Sequence, residues 1–117
     1  MLYSFFAGRF QPFHAGHRAI VRKLLSEGKN VCIAVRNTEI SSSNPFSYGE
    51  RRELISKLYE AEIREHRVKV ILIPDISEIV YGRGVGYKIS EISMPKEVEN
   101  ISATKIREGM KNDDKTV

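Results

Sequence analysis

The chain has 117 residues, 41% of them hydrophobic and 29% charged, which suits one globular core and excludes a disordered chain. No apolar run approaches the roughly 18 residues that span a bilayer, and no charged-then-apolar leader is recognisable, so no membrane role is expected. The net charge of +4 suits anionic partners. The basic residues are dispersed among glutamates in "RREL", "REHR" and "KIRE", so a nucleic-acid surface is not expected.

Residues 2–7, "LYSFFA", read as a buried strand. Residues 15–27 read as a helix with Ile20, Val21, Leu24 and Leu25 in one apolar stripe and Arg18, Arg22 and Lys23 outside it. Gly28 is its stop. "NVCIAV" (30–35) is a continuous apolar run, as in a strand covered on both faces. The single cysteine, Cys32, lies within it, so an inert buried thiol and a reducing cytoplasm are expected. "RNTEISSSNPF" (36–46) is polar and long for so small a domain, which suggests a mobile lid.

A second helix is expected from Ser47, where "SYGE" matches a capping box in which Ser47 and Glu50 satisfy each other's amides. Leu54, Ile55, Leu58, Tyr59 and Ile63 continue its stripe. "VKVILIP" (68–74) reads as a third strand, "EIVYG" (78–82) as a fourth and "YKISEISM" (87–94) as a fifth. A short helix from Ala103 to Met110 ends the domain, taken as 1–110, and 111–117 is a polar tail.

Alternating strands and helices with buried strand runs predict an α/β fold: a Rossmann-like, doubly wound parallel sheet of four to five strands. Only residues 83–86 separate the last two strands, and a parallel crossover needs about a dozen. The sheet is therefore expected to be shortened near its C-terminal end.

In such folds ligands gather at the carboxyl ends of the strands. "GRFQPFHAGH" (8–17) leaves strand one and enters helix one there, with two of the three histidines in the chain. Gly8 and Gly16 permit close backbone approach. No serine, threonine or aspartate caps the helix, which leaves its first amides open to an anion. His14 and His17 can present both rings on one side. They could be metal ligands, for which no third ligand is evident. They could equally be satisfied structural histidines, or donors to charge developing on a nucleotide phosphate. The glycines, helix terminus and Arg9 together favour the last. "GRGVGYK" (82–88) matches neither GxxxxGK[ST] nor GxGxxG and reads as a tight turn, with Arg83 able to face a ligand. In "ISATKIRE", Ser102 is placed to cap the last helix, with Thr104 and Arg107 in its first turns, a compact phosphate seat.

These segments resemble the nucleotidylyltransferases of the cytidylyltransferase-like, HxGH superfamily: "HAGH" is similar to its HxGH signature and "ISATKIR" to its IS-x-T-x-I-R signature. "NPFSYGER" resembles the middle motif of nicotinamide mononucleotide adenylyltransferases of the archaeal type and of the related domain in bacterial NAD-salvage proteins. "GRFQPFH" leans the same way, since many cytidylyltransferases and phosphopantetheine adenylyltransferases carry a G-T/S-F-D version. The resemblance implies that His14, His17 and Arg107 carry the catalysis, with His17 nearest the reacting phosphate. Gly8, Arg9, Phe10, Gly16, Arg51, Ser102 and Thr104 would bind the nucleotide, and Tyr81, Gly82 and Arg83 the acceptor. It implies transfer of a nucleoside monophosphate from ATP or CTP to a small phosphorylated acceptor, with magnesium on the triphosphate and no protein metal site. The competing readings are a cytidylyltransferase acting on an alcohol phosphate such as glycerol 3-phosphate and a nucleotide-binding module without transfer. A homo-oligomer is compatible with either.

Overall fold

The computed structural model describes residues 1–84 and 86–92. The expected short helix at 103–110, the tail 111–117 and residues 93–94 of the expected fifth strand lie outside the described residues.

Three strands and three helices come in the order β1 (Tyr3–Gly8), α1 (Ala15–Ser26), β2 (Asn30–Asn37), α2 (Tyr48–Leu58), α3 (Glu60–Arg64) and β3 (Val68–Pro74). The strands pair in the order β1-β2-β3, all parallel, so the α/β Rossmann-like expectation holds. Because β2 is central, its run is the most deeply buried: Val31, Ile33, Ala34 and Val35 are all inaccessible to solvent. Val31, Ile33 and Val35 fall on one face of the pleat and meet Val21 and Leu24 of α1 and Ile55 of α2 in a single core. Both helices therefore cover the same sheet face, as two successive crossovers in one direction require. The opposite face is less covered among the described residues: Phe5 is 59% exposed, Cys32 is half-buried and Lys69 is exposed.

The predicted stripe of α1 is borne out, with Arg18, Arg22 and Lys23 exposed. Gly28 comes just after it with φ +78, the left-handed conformation of a helix stop. The second stripe is corrected. The helix breaks at Tyr59, α3 is only five residues long, and Leu54 and Leu58 are exposed, leaving Ile55 and Tyr59 as the buried anchors. Residues 78–82 and 87–92 form no strand. Ile79, Val80, Tyr81 and Ile89 are exposed there, and strand propensity without a neighbouring strand to pair with does not hold a chain extended. The sheet thus has three strands among the described residues. No helix among them is long and apolar enough to cross a membrane.

Gly8 sets the exit from β1. A Cβ there would lie 2.6 Å from Phe10 Cε1, and Phe10 itself adopts φ 51 to turn its ring into the core. Gly8→Ala should therefore cost about 1–3 kcal/mol by overpacking. Urea unfolding should show a lower midpoint at unchanged slope; an unaltered midpoint would contradict this packing.

Candidate nucleotide site at the β1–α1 junction

The two histidines of "HAGH" cap α1 with each other. The Gly16 amide donates to His14 Nδ1 at 3.1 Å, and the His14 amide donates to His17 Nδ1 at 3.1 Å. A reciprocal capping box is formed, with imidazoles in the place of the usual hydroxyl and carboxylate. This corrects the expectation that the first amides of the helix stay open, since that of Gly16 is taken. Because each Nδ1 is an acceptor, each neutral ring carries its proton on Nε2, and both Nε2–H groups remain as donors.

The rings stack at 3.8 Å between centroids, 18° from parallel. Phe10 and Phe13 enclose His17 at 4.9 and 5.2 Å between ring centroids. Burial lowers the pKa of His17 to about 3, with repulsion from His14 adding to it. Burial and the nearby Arg18 charge lower that of His14. Near neutral pH the junction presents two uncharged rings as directed hydrogen-bond donors. Both Nδ1 atoms being engaged by amides also disfavours the metal-ligand reading. Among the described residues no group of three histidine, cysteine, aspartate or glutamate side chains could hold a metal ion. The structural role occupies the Nδ1 atom of each ring, and it leaves each Nε2–H available to a ligand.

The rest of the junction is held by two long polar side chains in the interior. Arg51, 2% exposed, donates through Nη1 to the carbonyls of Arg9 (2.8 Å) and Arg36 (2.7 Å), and through Nε to that of Ser47 (3.1 Å). Gln11, 1% exposed, donates to Thr38 Oγ1 (3.2 Å) and the Phe46 carbonyl (3.0 Å) and accepts from the Phe46 amide (2.9 Å). The stretch expected to form a lid is held at both ends, since β2 runs on to Asn37, Thr38 is buried and Phe46 is pinned to the "GRFQP" turn, while residues 39–43 between them are exposed. Gln11 is not among the residues that the sequence pattern singles out. Its only signal there is a polar side chain between Phe10 and Phe13, in a segment otherwise committed to the core.

The Ser47 cap is half of the predicted box. Ser47 Oγ accepts from the Glu50 amide at 3.1 Å but donates to Glu50 Oε1 at 3.2 Å, so the carboxylate meets the hydroxyl instead of the Ser47 amide.

His14, His17, Gly8, Arg9 and Gly16 thus come together at the carboxyl end of β1 and the start of α1. Arg9 is exposed. The Phe10 side chain is in the core, so a nucleotide could meet that residue only through its backbone. Arg51 reaches the site through the Arg9 carbonyl rather than with a free guanidinium. Tyr81, Gly82 and Arg83 are exposed in the irregular segment after β3, and the "GRGVG" turn has left-handed glycines at Gly84 and Gly86. Ser102, Thr104 and Arg107 lie outside the described residues. A half-open cleft of about 370 Å³ lined by Tyr3, Arg52, Ser56, Ile63, His66 and Lys69, among others, includes neither stacked histidine.

A family model described as cytidylyltransferase-like matches residues 5–70, more than half of the chain. The chain is similar to nicotinamide-nucleotide adenylyltransferases of three archaea. That of Thermoplasma volcanium is 41% identical over 73 residues, which cover 61% of this chain and 39% of the relative. For Thermoplasma acidophilum the figures are 40% over 76 residues, 63% and 42%, and for Thermococcus kodakarensis 41% over 75 residues, 62% and 40%. The matched region spans about two fifths of the length of these curated relatives.

A histidine with a folded pKa below its unfolded value of 6.5 destabilises the fold as pH falls, because the unfolded chain then binds the extra proton. Stability should decline from about pH 6.5 towards pH 3, by at most about 1.4 kcal/mol per pH unit for this one group. His17→Phe should flatten that slope. Imidazole NMR titration should find His17 neutral at pH 5, and a His17 midpoint near 6.5 would overturn the assignment.

Proposed function

The chain belongs to the cytidylyltransferase-like family, and we propose that it transfers a nucleoside monophosphate from ATP or CTP to a phosphorylated acceptor with release of pyrophosphate. The names of its archaeal relatives favour ATP and nicotinamide mononucleotide. The observation that carries this reading is the reciprocal histidine cap. It stacks two rings whose Nε2–H groups stay available as donors at a helix N-terminus, in the same segment as the exposed Arg9.

In this reading a phosphate oxygen of the acceptor attacks the α-phosphorus in line. A new P–O bond forms, the bond to the β-phosphate's bridging oxygen breaks, and pyrophosphate leaves with that electron pair. The acceptor oxygen is already anionic, so no side-chain nucleophile or general base is required. Catalysis is positioning together with stabilisation of charge on the equatorial oxygens. His17 donates to the α-phosphate and His14 to its neighbour. Gly8 and Gly16 let the backbone approach, and Arg9 supplies a charge. Ser102, Thr104 and Arg107 take the β- and γ-phosphates, as the resemblance implies, and Tyr81, Gly82 and Arg83 face the acceptor. Magnesium comes with the triphosphate, held by its oxygens and by water. The free thiol of Cys32, raised in pKa by burial, suits a reducing cytoplasm.

A pyrophosphate-release screen crossing ATP, CTP and GTP with nicotinamide mononucleotide, glycerol 3-phosphate, phosphopantetheine and flavin mononucleotide tests this reading. Turnover is expected with ATP and nicotinamide mononucleotide. Turnover only with CTP and glycerol 3-phosphate would move the assignment to a cytidylyltransferase, and tight nucleotide binding without turnover would leave a binding module. In the active pair, His17→Ala should lower turnover about 10²–10³-fold, as loss of one donor to developing charge does. Undiminished turnover in a folded variant would remove His17 from the mechanism.

A further inference from the structure

We propose that Arg51 is a positioning residue whose buried charge is completed by the nucleotide's phosphates, without contact between them. This rests on the nucleotide-binding reading of the junction and deepens it.

The guanidinium is 2% exposed and spends three N–H bonds on the carbonyls of Arg9, Arg36 and Ser47. Those oxygens belong to the turn after β1, the end of β2 and the cap of α2, so one side chain sets the relative height of all three. Carbonyl dipoles solvate a cation but do not neutralise it. The ion pairs among the described residues are Lys23 and Lys29 with Glu27, Arg36 with Asp75 and Lys57 with Glu53, and none includes Arg51. Burying a charge without a counter-charge is unfavourable relative to water, a penalty that a hydrophobic residue of similar size would avoid. Here the charge lies behind the Arg9 carbonyl, on the inner side of the turn that carries Arg9 and leads to the histidines. With His14 and His17 neutral and both Arg9 and Arg18 exposed to solvent, Arg51 is, among the described residues, a buried positive charge whose field at this junction solvent screens less. A cation with no counter-charge among the described residues is thus a destabilising feature that anion binding relieves.

A purely structural arginine and this one predict different dependence on ligand charge. Calorimetric titration in metal-free buffer would compare AMP, ADP and ATP on the wild-type chain, Arg51→Gln and Arg51→Lys. Arg51→Gln should weaken ATP by roughly tenfold and AMP by no more than about twofold, with ADP between them. Arg51→Lys, which keeps the charge, should hold the ATP-to-AMP preference within about threefold of the wild type. Equal losses for all three nucleotides in Arg51→Gln would overturn the proposal. Should that variant not fold, the lysine variant decides, and collapse of its ATP-to-AMP preference would overturn it. A wild-type chain that binds none of the three would overturn the nucleotide-site reading itself, and this inference with it.

Discussion

Three backbone carbonyls, from Arg9, Arg36 and Ser47, converge on the guanidinium of Arg51, and the geometry of the whole upper edge of the sheet depends on that convergence. Parallel strands all end on one side, so the turns leaving them crowd together with carbonyls that have no ladder partner. A buried carbonyl left unpaired costs about 1–3 kcal/mol. The carbonyl of Ser47 also accepts from the Arg51 amide and that of Arg36 from the Thr38 amide, so the guanidinium adds a second donor to each and is the donor to the Arg9 carbonyl, in fixed directions that a lysine could not reproduce. Gln11 does the same for the neighbouring loop, exchanging a pair of hydrogen bonds with the backbone of Phe46. The two side chains tie the turn after β1 to the end of β2, to the α2 cap and to Phe46, and α1 begins directly from that turn.

The histidine pair stands on this platform. An imidazole is an uncommon helix cap, and two share the task here: His17 accepts from the His14 amide and His14 from that of Gly16. Capping fixes the tautomer, stacking fixes the ring planes, and the aromatic wall of Phe10 and Phe13 keeps the inner ring neutral. A donor that is uncharged before the substrate arrives gains most where negative charge increases during reaction, which is the requirement for stabilising a phosphoryl transition state. The stability of α1 and the chemistry of its N-terminus therefore depend on the same two side chains through different atoms.

Much of this was legible from the chain alone. Val21 and Leu24 on α1, the apolar run of β2 and the stop at Gly28 are local patterns of period or conformation, and each stands where the pattern put it. The position of "HAGH" at a strand-to-helix junction was legible for the same reason. Illegible were features that depend on what lies across space. Leu54 and Leu58 have the spacing of a buried stripe yet remain exposed, because α2 meets the sheet mainly through Ile55 before the chain breaks at Tyr59. Residues 78–82 have strand-like composition yet find no strand beside them among the described residues. The loop after β2 looked free because nothing local restrains it; the restraint is Gln11, some thirty-five residues away.

By itself, the sequence determined the strands and the two main helices as far as β3, the parallel α/β class, the family and the place where two histidines meet a helix start, because each is encoded in contiguous residues whose chemistry acts over one or two turns. Only the tertiary structure decided which nitrogen of each histidine remains a donor and that Arg51 serves backbone carbonyls instead of presenting a free guanidinium. It also decided that the polar loop after β2 is pinned at Phe46 and that α1 and α2 lie on one face of the sheet. Those outcomes turn on distances between segments far apart in the chain, where burial decides whether a polar group must find a partner and the fold decides which one it finds.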